Sequence, residues 1–255
     1  MMATENQAGQ GDGKPVSLIL GATGGQGRAL AQRLGDSGHR LALAGRDLDE
    51  LNKLAEPYDA LTVKVEGTQI DSIVDAFEQT AAHFGRVDAA ANCIGSILLA
   101  PAHRTSSDQW YETLNINLTS AFATVKGAAN TMNSGGSVVL FSTAAARVGL
   151  ANHEAIAAAK AGVIGLMQSA AATYASRGLR FNAVAPGLVR SKMSERLFAN
   201  EQSRKLSEAM HPLHRLGEPS DTVPILHWLM QEESSWVTGQ VFGIDGGLST
   251  LRPSR

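Results

Sequence analysis

The stretch Val16-Ser17-Leu18-Ile19-Leu20-Gly21-Ala22-Thr23-Gly24-Gly25-Gln26-Gly27 decides the fold. Its first five residues form a short, β-branched and apolar run that stops at a glycine, which reads as a buried strand. Gly25 to Leu34 then reads as a helix. Between them lies a Gly-x-x-x-Gly-x-Gly loop. Gly21 permits the tight turn, Gly25 lets the backbone approach a pyrophosphate, and Gly27 lets the helix lie close to the strand. Thr23 and Gln26 fill the loop between these glycines. The helix N-terminus offers free N–H groups and a favourable dipole to an anion. A glycine-rich turn without a ligand is the plain alternative, and the strand–turn–helix context speaks against it.

Working outward, strand-like and helix-like segments alternate. Arg40 to Ala44 reads as a second strand and Asp47 to Ala55 as a helix, Leu61 to Val65 as a third strand and Ile70 to Phe84 as a helix. Val87 to Asn92 and Ser137 to Phe141 are further strands, separated by a long helical stretch around Asp108 to Met132. A second long helix is expected from Asn152 to Ala175, and Arg180 to Ala185 is the next strand. Parallel strands joined by helical crossovers make a doubly wound, Rossmann-like α/β sheet in a single domain, residues 15–255. The polar, glycine-rich Met1 to Lys14 is expected to be a mobile tail outside it. In the long second helix Gly162 and Gly165 lower helix propensity, which points to close packing against the sheet or a neighbouring subunit.

The composition is ordinary for a globular protein, with 44% hydrophobic and 18% charged residues and a net charge of −2. Both signs are scattered, so no basic face is expected for a nucleic acid. No apolar stretch approaching a membrane span of about 20 residues is expected either. Cys93 is the single cysteine, which excludes an internal disulfide and fits a cytoplasmic location.

Further motifs follow the glycine loop in order: Asn92-Cys93-Ile94-Gly95, Asn115-Ile116-Asn117-Leu118, Asn182-Ala183-Val184-Ala185-Pro186-Gly187, Arg215-Leu216-Gly217-Glu218-Pro219-Ser220-Asp221, Thr238-Gly239-Gln240 and Asp245-Gly246-Gly247. Over about residues 16 to 248 the chain resembles the short-chain dehydrogenase/reductase family, and several motifs in the right order are far more specific than one. The resemblance implies a nicotinamide cofactor held by Gly21, Thr23, Gly25, Gln26, Gly27, Asn92, Gly95 and Lys160. Pro186, Gly187 and Val189 would lie beneath the nicotinamide, and Ser191 would meet the carboxamide. It also implies a homo-oligomer, a tetramer built partly from the two long helices.

Cofactor choice is read after the second strand, in Ala44-Gly45-Arg46. Gly45 stands where NAD-preferring relatives usually carry Asp, and Arg46 offers a planar cation suited to a 2′-phosphate. NADP(H) is therefore favoured and NAD(H) remains open, since Asp47 follows directly. Glu66 falls near the position where relatives place an Asp by the adenine.

Members of the family usually work with Asn, Ser, Tyr and Lys, the Tyr four residues before the Lys and thirteen after the Ser. Asn117 and Lys160 match, and Thr143 supplies the hydroxyl. Ile156 stands where the tyrosine is expected, and its side chain has no ionisable proton. Three alternatives follow. His153, seven residues before Lys160, occupies the offset at which the enoyl reductase branch carries its tyrosine, and an imidazole can give a proton at neutral pH. A water held by Asn117, Thr143 and Lys160 could relay the proton. Or the chain turns nothing over and uses its cofactor pocket for sensing or assembly. Cys93 is expected to be a buried, inert thiol, and His211 and His214 lack the partners for a metal site. The expected activity is NADP(H)-dependent hydride transfer to or from a carbonyl or activated C=C bond of a small molecule. The substrate pocket is expected along Ser96 to Ala102 and Lys192 to Met210, with Met193, Leu197 and Phe198 as apolar lining.

Overall fold

The computed structural model describes residues 13–198 and 200–252. Of the tail expected at Met1 to Lys14, residues 1–12 lie outside the described residues. Seven strands form one parallel sheet: β1 (Val16–Leu20), β2 (Arg40–Gly45), β3 (Leu61–Lys64), β4 (Ala89–Asn92), β5 (Gly136–Phe141), β6 (Leu179–Pro186) and β7 (Val241–Ile244). Their order is β3-β2-β1-β4-β5-β6-β7. The crossover helices are α1 (Gly25–Asp36), α2 (Leu48–Ala55), α3 (Ile70–Phe84), α4 (Ser107–Leu114), α5 (Ser120–Thr131), α6 (Glu154–Tyr174), α7 (Glu201–Met210) and α8 (Pro219–Leu229). The doubly wound, single-domain α/β architecture expected from the alternation is the one found.

Strand alternation builds a core on each face. Leu18 and Leu20 of β1 point to one face and join Phe77 of α3, Met167 of α6 and Phe181 of β6. Ile19 points to the other and joins Leu30 of α1, Leu43 of β2 and Leu226 of α8. Ser17 of β1 pairs in register with Leu41 on one side and Ala89 on the other. The chain reverses its direction of winding between those neighbours, and the reversal opens a crevice at the carboxyl ends of β1 and β4.

Several expectations are corrected. The long helical stretch around Asp108 to Met132 is two helices joined by a π-helical turn, Asn115–Thr119. Helix α6 begins at Glu154, so His153 is its N-cap. The segment Glu154–Arg177 is long and apolar enough to cross a membrane, contrary to the expectation that no stretch approaches that length. Alanine and glycine make it apolar, while Ile156, Val163 and Met167 are buried in the fold. Of its two glycines, Gly162 supports the packing argument: an added Cβ would lie 3.0 Å from Leu118 of the π turn. Gly165 opens on free space, so packing within this chain does not explain it.

Candidate active site

The glycine loop is shaped by its backbone. Gly21 has φ +74°, and a Cβ there would stand 2.9 Å from the Cys93 carbonyl carbon. The N–H groups of Gly21 and Ala22 donate to Ala44 O at 2.8 and 3.1 Å, which fastens the loop to β2. A Cβ on Gly27 would fall on the Gly21 carbonyl oxygen and 2.9 Å from Ala22 Cα. Helix α1 therefore starts tight against the strand end. Its N-cap, Gly24, has no side-chain cap, and its first turn carries no acidic residue. The positive end of the helix faces a cavity of about 480 Å³ that Thr23, Gly25, Gln26 and Gly27 line. A pyrophosphate fits this cradle on its own chemistry.

The same cavity is lined by Gly95, Asn117, Thr143 and Lys160, and by Pro186, Gly187, Val189 and Ser191. Asn117 is buried in the middle of the π turn, a feature frequent at functional sites. Its Nδ2 donates to Thr113 O at 3.0 Å and to Ser96 Oγ at 2.9 Å, and its Oδ1 accepts from Ser96 N at 3.1 Å. Lys160 Nζ donates to Phe141 O at 2.9 Å. Its position is 3.7 Å from where a Gly95 Cβ would stand, and Asn117 Oδ1 is 3.2 Å from the same point. Ser142 Oγ donates to the Lys160 carbonyl at 2.9 Å, so the end of β5 holds the helix that carries the lysine. Thr143 Oγ1 accepts weakly from Ala145 N at 3.4 Å.

Electrostatics follow burial. Desolvation pushes the Lys160 ammonium down to about 8, only partly offset by Cys93 beside it. Burial pushes the Cys93 thiol up to about 12, with Lys160 opposing. Ile156, one turn before Lys160, is 5% exposed and lines the cavity. Among the described residues, no tyrosine, histidine, aspartate or glutamate lines it.

Other expected residues lie elsewhere. His153 does not line the cavity; its Nδ1 donates to Ala151 O at 2.7 Å. The helix starts one residue later, so His153 stands at its N-cap. Asn92 uses its amide within the protein, donating to Ser120 Oγ and Thr124 Oγ1 at 3.3 and 3.0 Å while its Oδ1 accepts from Ile94 N. It pins the end of β4 to α5. Glu66 Oε1 accepts from Thr68 Oγ1 at 3.1 Å. Arg46 is exposed at the end of β2, one residue beyond Gly45, where a Cβ would meet Thr23 Oγ1 at 3.8 Å. Asp47 caps α2 by accepting from Glu50 N at 3.1 Å, so its carboxylate has a structural use. Of the expected substrate lining, Ser96, Ile97, Lys192 and Met193 reach the cavity, whereas Leu197 and Phe198 do not.

Two supporting roles escaped the sequence reading. Ser96, expected only as substrate lining, is the partner of Asn117. Buried His211 accepts from Leu188 N at 3.2 Å and donates to Ser207 O at 2.7 Å, fixing the turn after Pro186-Gly187. A histidine 23 residues beyond the turn it holds leaves no local signal.

A family model described as enoyl-(acyl carrier protein) reductase matches residues 21–249. The chain belongs to the short-chain dehydrogenase/reductase family. It is 33% identical over 240 residues to the 3-oxoacyl-[acyl-carrier-protein] reductase FabG of Thermotoga maritima, covering 91% of this chain and 97% of that protein. It is 30% identical over 250 residues to the 3beta-hydroxysteroid dehydrogenase 1 of Eggerthella lenta, covering 94% and 95%. A solved short-chain type dehydrogenase/reductase from Mycobacterium ulcerans superposes with a TM-score of 0.88 at 28% identity, over 94% of this chain and 91% of that one. This short-chain dehydrogenase/reductase is thus an oxidoreductase by family, and a nicotinamide cofactor fits its cradle.

Proposed function

We propose that the chain moves hydride between NADP(H) and a small molecule bearing a carbonyl or an activated C=C bond. The observation that carries this is convergence: the glycine cradle, Asn117, Thr143 and Lys160 line one cavity. The cofactor supplies the hydride chemistry when bound, and the protein supplies position and electrostatics. Gly25, Gln26 and Gly27 would hold the pyrophosphate, and Pro186 to Val189 with Ser191 the nicotinamide end. Asn117, rigid in its π turn, holds Ser96 and the wall of the substrate side. Thr143 offers its hydroxyl to a substrate oxygen. Ile156, in the place of the family's tyrosine, leaves the acid position without a phenol. FabG and the steroid dehydrogenase are named for ketone and hydroxyl substrates, which favours carbonyl chemistry here; the family model's name keeps enoyl reduction in view.

The test is NADPH consumption against a panel of ketones, quinones and enoyl thioesters. Turnover on one class identifies the bond reduced. NADPH binding with no turnover on any of them would discard the enzyme reading in favour of a silent cofactor-binding protein.

Preference for NADP(H) rests on Arg46. Arg46 is the exposed residue directly after the end of β2, the end at which the adenosine ribose would lie, and Asp47 is held as a helix cap. Arg46→Asp is expected to weaken NADPH binding at least about tenfold while NADH binding holds or improves, since a charge-assisted phosphate contact is replaced by repulsion. Fluorescence titration with both cofactors measures this. Equal weakening of the two would place Arg46 outside the 2′-phosphate site.

Assembly into a homo-oligomer belongs to the same proposal. Tyr111 of α4 and Phe122 of α5 are 62% and 46% exposed, and both helices neighbour α6. Large exposed aromatics on adjoining helices favour a subunit contact. A monomeric sedimentation profile at micromolar concentration would count against it.

A further inference from the structure

We propose that the ε-ammonium of Lys160 holds the proton delivered to the reacting oxygen of the substrate, which makes this lysine a catalytic residue in its own right. The inference rests on the hydride-transfer reading above and assigns the one role that reading leaves open.

The argument begins with the titratable groups around the cavity. Among the described residues these are Arg28, Cys93, Lys160 and Lys192. Arg28 is paired with Glu50 at 3.0 Å, and a guanidinium does not give up its proton. Cys93 is held protonated by burial, and its thiolate would be stranded in an apolar setting. Lys192 is exposed on the segment after β6. Lys160 alone is buried beside Asn117 and Gly95, at the end where the hydroxyl of Thr143 also reaches the cavity.

Its hydrogen bonding fits the role. An ammonium has three N–H donors. One goes to Phe141 O, and no carboxylate pairs with Lys160 among the described residues. The groups that face it are neutral: Cys93 at the end of β4, Asn117 on the π turn, Ser142 and Thr143 at the end of β5, and Ile156 on its own helix. Burial without a counter-charge brings the ammonium down to about 8, so both protonation states are accessible near neutral pH.

The step balances as follows. The substrate carbonyl carbon gains a hydrogen and two electrons as hydride from NADPH, which leaves as NADP⁺. The C=O π pair moves to oxygen. An N–H bond of Lys160 breaks as the O–H bond forms, and the neutral amine recovers its proton from solvent. The oxidation direction runs the same steps backwards, with the neutral amine accepting the proton.

Reduction therefore needs Lys160 protonated, and kcat/KM is expected to fall as pH rises through about 8. Lys160→Arg keeps the charge and the donor to Phe141 O but cannot release a proton. It is expected to bind NADPH within about tenfold of wild type, to lose at least about 10²-fold in kcat/KM, and to lose the alkaline limb. A second readout needs no cofactor. The rate of reductive methylation of Lys160 by formaldehyde with cyanoborohydride as the reductant, followed by mass spectrometry across pH, is expected to rise with a midpoint near 8 in the wild-type chain. Retention of the alkaline limb in Lys160→Arg overturns the proposal, as does loss of that limb in Lys192→Ala. So does a methylation midpoint at the ordinary lysine value. Failure of the wild type to reduce any substrate overturns the hydride-transfer reading and this role with it, whereas failure of Lys160 alone leaves turnover intact.

Discussion

Gly27→Ala is expected to lose NADPH binding and to destabilise the fold by about 1–3 kcal/mol, the usual cost of overpacking. The new methyl group would meet the Gly21 carbonyl oxygen, the Gly21 carbonyl carbon at 3.0 Å and Ala22 Cα at 2.9 Å. All three are backbone atoms of a loop fixed to Ala44 O, so no flexible side chain can yield. Relief requires α1 to move away from β1, and that displaces the N–H groups of Gly25 and Gln26 from the cradle. A shift costing 1.4 kcal/mol at the anion is already about tenfold in affinity. Gly45→Ala is the matched control at the same end of the sheet. There a Cβ would find Leu51 and Thr23 at 3.8 Å, an ordinary contact. Urea unfolding and NADPH titration on both variants check the contrast, and a Gly27→Ala chain that binds like wild type would show that the cradle is not where the pyrophosphate lies.

The second large effect runs the other way. Ile156→Tyr is expected to raise NADPH-dependent carbonyl reduction by at least about tenfold, toward the 10² to 10⁴ that a positioned acid contributes. Ile156 lines the cavity one helical turn before Lys160, so a phenol there would point toward the same reacting oxygen. The neighbouring ammonium would lower the phenol pKa and make it a readier donor. The bulkier ring costs stability by overpacking, so a thermal melt must accompany the kinetics. A folded variant with unchanged or lower kcat/KM would mean that the isoleucine shapes the substrate pocket and that proton supply does not limit the rate.

The helix at Ile70–Phe84 was legible to the residue, because its amphipathic pattern is local and its end is marked by Gly85 in the left-handed region. The glycine loop was legible because its glycine spacing is a local pattern, and Gly27 answers to Gly21 and Ala22 within the same few residues, although Gly21 itself packs against Cys93 far along the chain. β7 went unread, since Val241-Phe242-Gly243-Ile244 is four residues long and broken by a glycine. The π turn is invisible to periodicity, because one extra residue in a helical stretch leaves each flanking pattern intact. The partners of the Asn92 amide could not be read locally, because the hydroxyls that take it lie 28 and 32 residues onward. The place of His153 outside the cavity was not legible, because its seven-residue offset from Lys160 does not show that the helix begins only at Glu154. The chemistry of Lys160 was half legible. Its position came from motif spacing, and its depressed pKa comes only from tertiary burial.

The strand order sets a timetable for synthesis. β1 is made first but sits between β2 and β4, and Val16 N finds the Asp88 carboxylate 72 residues later. The backbone fastening point of the glycine cradle, Ala44, is nearby in sequence. The chemical half of the cavity is not: Asn117, Thr143, Lys160 and Pro186 emerge over a further seventy residues, from 117 to 186. The anchor of the cradle is thus local in sequence, whereas the groups proposed for the chemistry are brought beside it only by strands and helices made later.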